Sequence, residues 1–187
     1  MPRLRISIAV LLLLSGCGPL LIRDGATGAY SPVQAGTFEL HKDITLRADH
    51  ARAYLQHGEI VSAVNEFAPH CQLEINTLQA QPQTVHADSF SVTRINTRSY
   101  QVVQNAPVVL AAAEGFTLTP LDRFRDHDDA ESRIMYAFIF TLHSARQPDV
   151  RALRCGGAFD APGLAQRPTL QEIAAALGAY GTLVLRR

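Results

Sequence analysis

Apolar and polar residues alternate along much of this chain, and a period of two marks strands that bury one face. Phe38, Leu40, Ile44 and Leu46 fall on one parity, with Glu39, His41, Asp43, Thr45 and Arg47 on the other, which predicts a strand over 38–47. Ala51, Ala53 and Leu55 continue the alternation against Arg52, Tyr54 and Gln56, and His57-Gly58 then supplies a turn ahead of Ile60 to Val64. Cys71, Leu73 and Ile75 share a face opposed by Gln72, Glu74 and Asn76, so the cysteine is expected to point inward. Phe90 to Val103 reads as one long strand or two with a bend near Asn96. Ile134 to Leu142 is almost continuously apolar, as a strand covered on both faces should be. Pro148-Asp149 turns the chain into a partner strand over 150–155, with Leu153 and Cys155 on one face.

The last elements break the pattern. Thr169 stands three residues ahead of Glu172, the spacing of a capping box, and Leu170, Ile173, Ala174 and Leu177 recur at helical intervals up to Gly178. This predicts a helix over 169–177, followed by an edge strand over 182–185. Many short alternating strands and one capped helix imply a mainly β (α+β) fold: an antiparallel β-sandwich or partly open barrel with the C-terminal helix packed on it.

The amino terminus follows another rule. Arg3 and Arg5 precede an apolar run from Ile6 to Leu14, too short to span a bilayer permanently, and Leu14-Ser15-Gly16-Cys17 closes it. That ending resembles the lipobox of bacterial lipoproteins. The resemblance implies cleavage before Cys17, a diacylglyceryl thioether on its sulfur and acylation of the new amino terminus, so palmitate or a similar chain becomes the anchor. Each buried methylene contributes roughly 0.8 kcal/mol, and several chains give stable attachment. A plain secretory peptide or an uncleaved anchor are the alternatives. Gly18, by resemblance to the sorting rule of Gram-negative lipoproteins, implies the periplasmic face of the outer membrane. The expected organisation is a signal peptide over 1–16, a lipidated cysteine and flexible tether over 17–36 with a reach of about 25 Å, and a single globular β-rich domain over 37–187. The body resembles small uncharacterised lipoproteins of Proteobacteria, in the Cys155 region and in Thr169-Leu170-Gln171-Glu172-Ile173.

Charge and cysteine count narrow the function. Seventeen basic and seventeen acidic residues balance, and removing Arg3 and Arg5 leaves the mature body close to neutral. Bulk charge therefore recruits no nucleic acid. With Cys17 acylated, Cys71 and Cys155 form one pair in an oxidising compartment, and a disulfide is the natural reading. A metal or redox pair is the alternative, with His70 as its one neighbouring ligand type.

Candidate chemistry is sparse. Asp122, Asp126, His127, Asp128, Asp129 and Glu131 crowd one stretch, and oxygen ligands on a loop suit calcium, with Asp126, His127 and Asp128 as the nearest thing to a metal site. The spacing lacks the glycine and the alternation of an EF-hand, so a solvated loop is the simpler reading. His86 and Asp88 stand two apart and would share a face on a strand, where the acid could orient the imidazole. No nucleophile motif accompanies them. Tyr100, Phe116, Phe124, Tyr136, Phe138 and Phe140 either line a cavity for a lipid or apolar peptide or fill the core. No cofactor is implied beyond covalent lipid. The expected function is a non-enzymatic, outer-membrane-anchored lipoprotein that binds a protein or lipid partner in envelope assembly or maintenance. The alternatives are a pilotin-like chaperone, which needs an apolar groove or an unpaired strand edge, and a hydrolase or metal-dependent enzyme using His127 or His86.

Overall fold

A computed structural model describes residues 20–103 and 132–186. Among these residues twelve strands and one α-helix follow in chain order: β1 (Leu21–Arg23), β2 (Tyr30–Pro32), β3 (Gln34–Leu40), β4 (Ile44–Leu46), β5 (Arg52–Gln56), β6 (Glu59–Val61), β7 (His70–Ile75), β8 (Gln83–Val85), β9 (Asp88–Val103), β10 (Ser132–His143), β11 (Val150–Gly156), α1 (Leu170–Leu177) and β12 (Gly181–Arg186). Eight of them make one antiparallel sheet in the order β12-β3-β9-β10-β11-β7-β5-β6, while β1-β2 and β4-β8 form two-stranded pairs beside it. This is the mainly β architecture with a single C-terminal helix that the patterning predicts.

Parity decides what is buried. Phe38 and Phe90 pair across β3 and β9, and their rings stack at 6.1 Å. Phe138, Phe140 and Leu142 of β10 face the same interior as Leu153 and Cys155 of β11 and Cys71, Leu73 and Ile75 of β7. The predicted strand over 38–47 is in fact two. Phe38 and Leu40 belong to β3, and Ile44 and Leu46 to β4, but all four keep their inward parity. No bend occurs at Asn96: β9 runs unbroken, and its one irregularity against β10 lies between Thr141 and Leu142.

The sheet curls until one helix touches both of its ends. Thr169 and Glu172 form the expected capping box, and α1 buries Ile173, Ala176 and Leu177 against β12 on one side and β5 and β7 on the other. At its carboxyl end the Gly58 amide donates to the Ala176 carbonyl at 3.1 Å. Gly178 has φ +53°, and a Cβ there would stand 2.3 Å from Gly58 Cα, so the seam demands glycine twice over. His57 and Gly58 both have positive φ, as the tight β5–β6 hairpin requires.

The expected tether over 17–36 is corrected from Leu20 onward. Residues 20–36 are built into the fold: β1 and β2 pair from Leu21↔Pro32 to Arg23↔Tyr30, and Ile22 and Val33 lie in the core. Asp24 caps the turn, its carboxylate accepting from the amides of Ala26 at 3.0 Å and Thr27 at 2.9 Å. Gln171 of α1 ties the turn down, donating to Asp24 at 3.0 Å and accepting from the Gly25 amide at 2.8 Å. The glycines, serine and proline of this stretch are therefore hairpin residues, not linker residues.

Candidate functional site

Two inward-pointing cysteines become neighbours because β7 and β11 pair in register at Cys71↔Cys155, and the disulfide they form is almost wholly buried. It locks the middle of the sheet. His70, next in sequence, points to the other face, where its Nδ1 lies 3.1 Å from the Ala68 carbonyl. The metal reading of this pair is thereby replaced by a covalent crosslink.

His86 and Asp88 do not share a face. His86 lies before β9 and is 68% exposed, with Nδ1 at 2.9 Å from Asp43. The Asp43 carboxyl is held below its ordinary range by the Ala87 amide first and by His86 second. Asp88, by contrast, is 4% exposed. Ser144 donates to it at 2.7 Å, Gln147 at 3.2 Å and the Ser89 amide at 2.7 Å, and Arg146 closes the cage with a charge-assisted bond. Those donors, Arg146 foremost, push the Asp88 carboxyl far below the carboxylate range against the opposing effect of burial. Gln147 also brackets the His86 backbone, accepting from its N–H at 2.8 Å and donating to its carbonyl at 2.9 Å. This network clamps the β10–β11 loop to the start of β9. Its chemistry is structural, since every Asp88 oxygen is occupied.

A second buried carboxylate sits on the outer face. Glu74 of β7 is 3% exposed and accepts from Gln72 at 2.6 Å, from Arg154 at 2.8 Å and from Arg151. The Arg154 guanidinium also lies over the Tyr100 ring, 5.3 Å from its centre. Sequence patterning marks Glu74 as polar-face but does not show that two arginines of β11 and its bulge cover it.

Two hollows open where β1 and β2 approach β9 and β10. The larger, about 590 Å³, lies between Leu20, Leu21 and Tyr30 on one side and Ile95, Asn96 and Thr97 of β9 on the other, with Arg167 at its end. The smaller, about 280 Å³, continues past Leu21, Tyr30 and Arg167 to Tyr136. Both are open to solvent and carry apolar and cationic groups together.

No family model, curated protein or solved structure matches the chain.

The aromatic candidates therefore divide. Phe138 and Phe140 are core, Tyr136 and Tyr100 are half-buried on opposite faces, and Phe116 and Phe124 lie outside the described residues. Cys17, Asp126, His127 and Asp128 also lie outside them. Among the described residues no group of three or more His, Cys, Asp or Glu side chains is placed to hold a metal ion. What sequence reasoning missed is the hollow beside β9, whose lining residues come from positions as far apart as 20 and 167; the exposed Tyr30 in a Gly- and Ala-rich stretch was its one visible signal.

Proposed function

We propose that this chain is a non-enzymatic lipoprotein of the bacterial envelope, anchored through acylated Cys17 to the periplasmic face of the outer membrane, that binds a protein or lipid partner in envelope assembly or maintenance. The observation that carries this reading is the buried Cys71–Cys155 disulfide, which fits an exported protein in an oxidising compartment and so agrees with the lipobox-like leader. Leu20, the first described residue, is three positions after Cys17, a stretch that spans at most about 11 Å. An acylated Cys17 would thus hold the hairpin of β1 and β2 beside the bilayer.

The pilotin-like reading is favoured by one further feature: the hollow of about 590 Å³ next to β9 is flanked by the exposed side chains of Leu21 and Tyr30, as a site for an apolar segment should be. The enzyme reading has less behind it. His86 is engaged by Asp43 in open solvent, and Asp88 is turned away into its own cage.

Metabolic labelling with palmitate tests the anchor. Label should appear on the wild-type protein and vanish in Cys17→Ala, with the mature amino terminus at Cys17 by mass spectrometry. An intact leader and an unlabelled protein would overturn the reading.

A further inference from the structure

Among the described residues, one edge of β9 has no partner strand for most of its length. β10 pairs with the strand from Ser91↔His143 to Val103↔Ser132 and holds it extended, but on the opposite side β3 covers only Asp88 to Ser91. Beyond Ser91 no described strand pairs with that side, which leaves residues 93–103, about 35 Å of backbone at the usual rise, with unshared N–H and C=O groups among the described residues. The two terminal edges of the sheet are blunted by comparison: β6 has three residues, and β12 is short and irregular between Val184 and Arg186. The open stretch of β9 is longer, and from Arg94 to Val103 its register against β10 is unbroken. Its groove-side residues Ile95 and Thr97 carry no charge that would repel a neighbour.

We propose that this edge accepts an extended segment of a partner protein as an added strand, and that the segment alternates apolar and acidic residues. This deepens the partner-binding reading above and rests on it. A strand laid about 4.8 Å from β9 would enter the hollow between β9 and the β1–β2 hairpin, so every second side chain would meet Leu20, Leu21, Tyr30 and Ile95. The intervening side chains would face the other way, beside Arg94 and Arg98. These two are exposed, and neither has an ion pair among the described residues, whereas Arg151 and Arg154 on the same face are engaged by Glu74. Carboxylates at alternate positions of the segment would complement them. Backbone hydrogen bonds supply affinity along the edge, and the two faces supply selectivity.

The test uses the mature full-length lipoprotein in detergent and a fluorescein-labelled peptide of about twelve residues alternating Val and Glu. Binding should appear as a rise in anisotropy, and amide exchange should slow in residues 93–103 and not in β6 or β12. A peptide alternating Val and Lys should bind at least about tenfold more weakly, and the double variant Arg94→Glu/Arg98→Glu should reverse that order. Ile95→Lys, placing a charge in the groove, should weaken the Val–Glu peptide by about tenfold or more, with the melting temperature and near-ultraviolet dichroism of each variant checked against wild type. Equal affinity for both peptides, binding without new protection in 93–103, or protection in the free protein of the alternate amides there that point away from β10 would each overturn the proposal. Protection elsewhere by the same peptide would sink this edge while leaving the partner-binding reading intact, and loss of palmitate labelling would bear on the anchor alone.

Discussion

The strands around the disulfide and the ribbon made by β9 and β10 beyond Ser91 and Ala137 are built from the same alternating pattern, yet they meet opposite fates. β7 and β11 are paired on both edges, crosslinked at Cys71 and Cys155, roofed by α1 on the inside and sealed by Glu74 with its arginines on the outside. β11 backs this ribbon over Ala137–Thr141, and among the described residues only its far end, Ser99–Val103 against Ser132–Tyr136, is two-stranded. Among the described residues no strand pairs with its outer edge beyond Ser91, and Val102 is 45% exposed. A two-stranded ribbon is marginal by itself, so the ordered remainder of the sheet must hold this one extended. The difference teaches that stability and availability are separated in space. The crosslink and the caged carboxylate lie at β7 and β11, and among the described residues the unshared backbone lies along β9.

The largest expected effect lies in the first region. Cys71→Ala removes a crosslink between positions 84 apart, and the chain-entropy argument puts its contribution at about 4 to 5 kcal/mol as an upper value. Thermal unfolding should show a much lower melting temperature for Cys71→Ala, and reduction of the wild type should lower it similarly. Two free thiols in the unreduced native protein would break the comparison at its root.

A smaller loss is expected at the clamp between the two regions. Asp88→Asn removes the charge that Arg146, Ser144 and Gln147 all bond to, a loss of about 2 to 3 kcal/mol for charge-assisted bonds of this kind. The sign of the pH dependence follows from the lowered carboxyl. Asp88 stabilises the fold fully above the unfolded value near 3.8, and that contribution disappears as pH falls through it toward the lower folded value. Asp24, lowered to about 2, acts in the same direction. Unfolding followed from pH 6 down to about 2 should therefore fall less steeply for Asp88→Asn than for wild type; parallel curves would show that the cage carries no such linkage.

Parity was readable from the chain because it is local: Phe38, Leu40, Ile44 and Leu46 alternate by two, and Thr169 sits three from Glu172. The helix, the inward cysteines and the central position of β10 follow from patterns of this reach. The missed features are non-local. Asp88 meets Ser144 and Arg146 across 56 and 58 positions, and the β1–β2 hairpin is buried by just Ile22 and Val33 within a stretch whose glycines and prolines read as linker. Alternation also reports faces and says nothing about edges. That β3 leaves β9 after Ser91 cannot be seen in either strand's own sequence.

The helix seam offers a sharper cut than the clamp, with a smaller effect. Gly178→Ala forces a Cβ toward Gly58 at positive φ, and a loss of about 1 to 3 kcal/mol is expected, because the helix end and the β5–β6 hairpin must separate. Gly28→Ala has positive φ as well but open space around it, so it carries backbone strain of about 1 kcal/mol without the clash and should cost less than Gly178→Ala. The ratio of the two melting-temperature shifts separates strain from contact; equal shifts would mean that the seam contributes no packing.

The smallest effect is the most diagnostic. Arg94→Ala and Arg98→Ala lie on the exposed ribbon, have no ion pair among the described residues, and should change stability by no more than about 0.5 kcal/mol. If the ribbon is held by its pairing with β10 and not by its side chains, amide exchange in β9 should be equally indifferent to both substitutions, while β7 and β11 stay protected throughout. A loss of more than about 1 kcal/mol at either arginine would mean that the exposed face is already engaged within the folded chain. The contrast between a closed region and an available one would then fail where it matters, since a cation satisfied internally leaves nothing for a partner's carboxylate to complement.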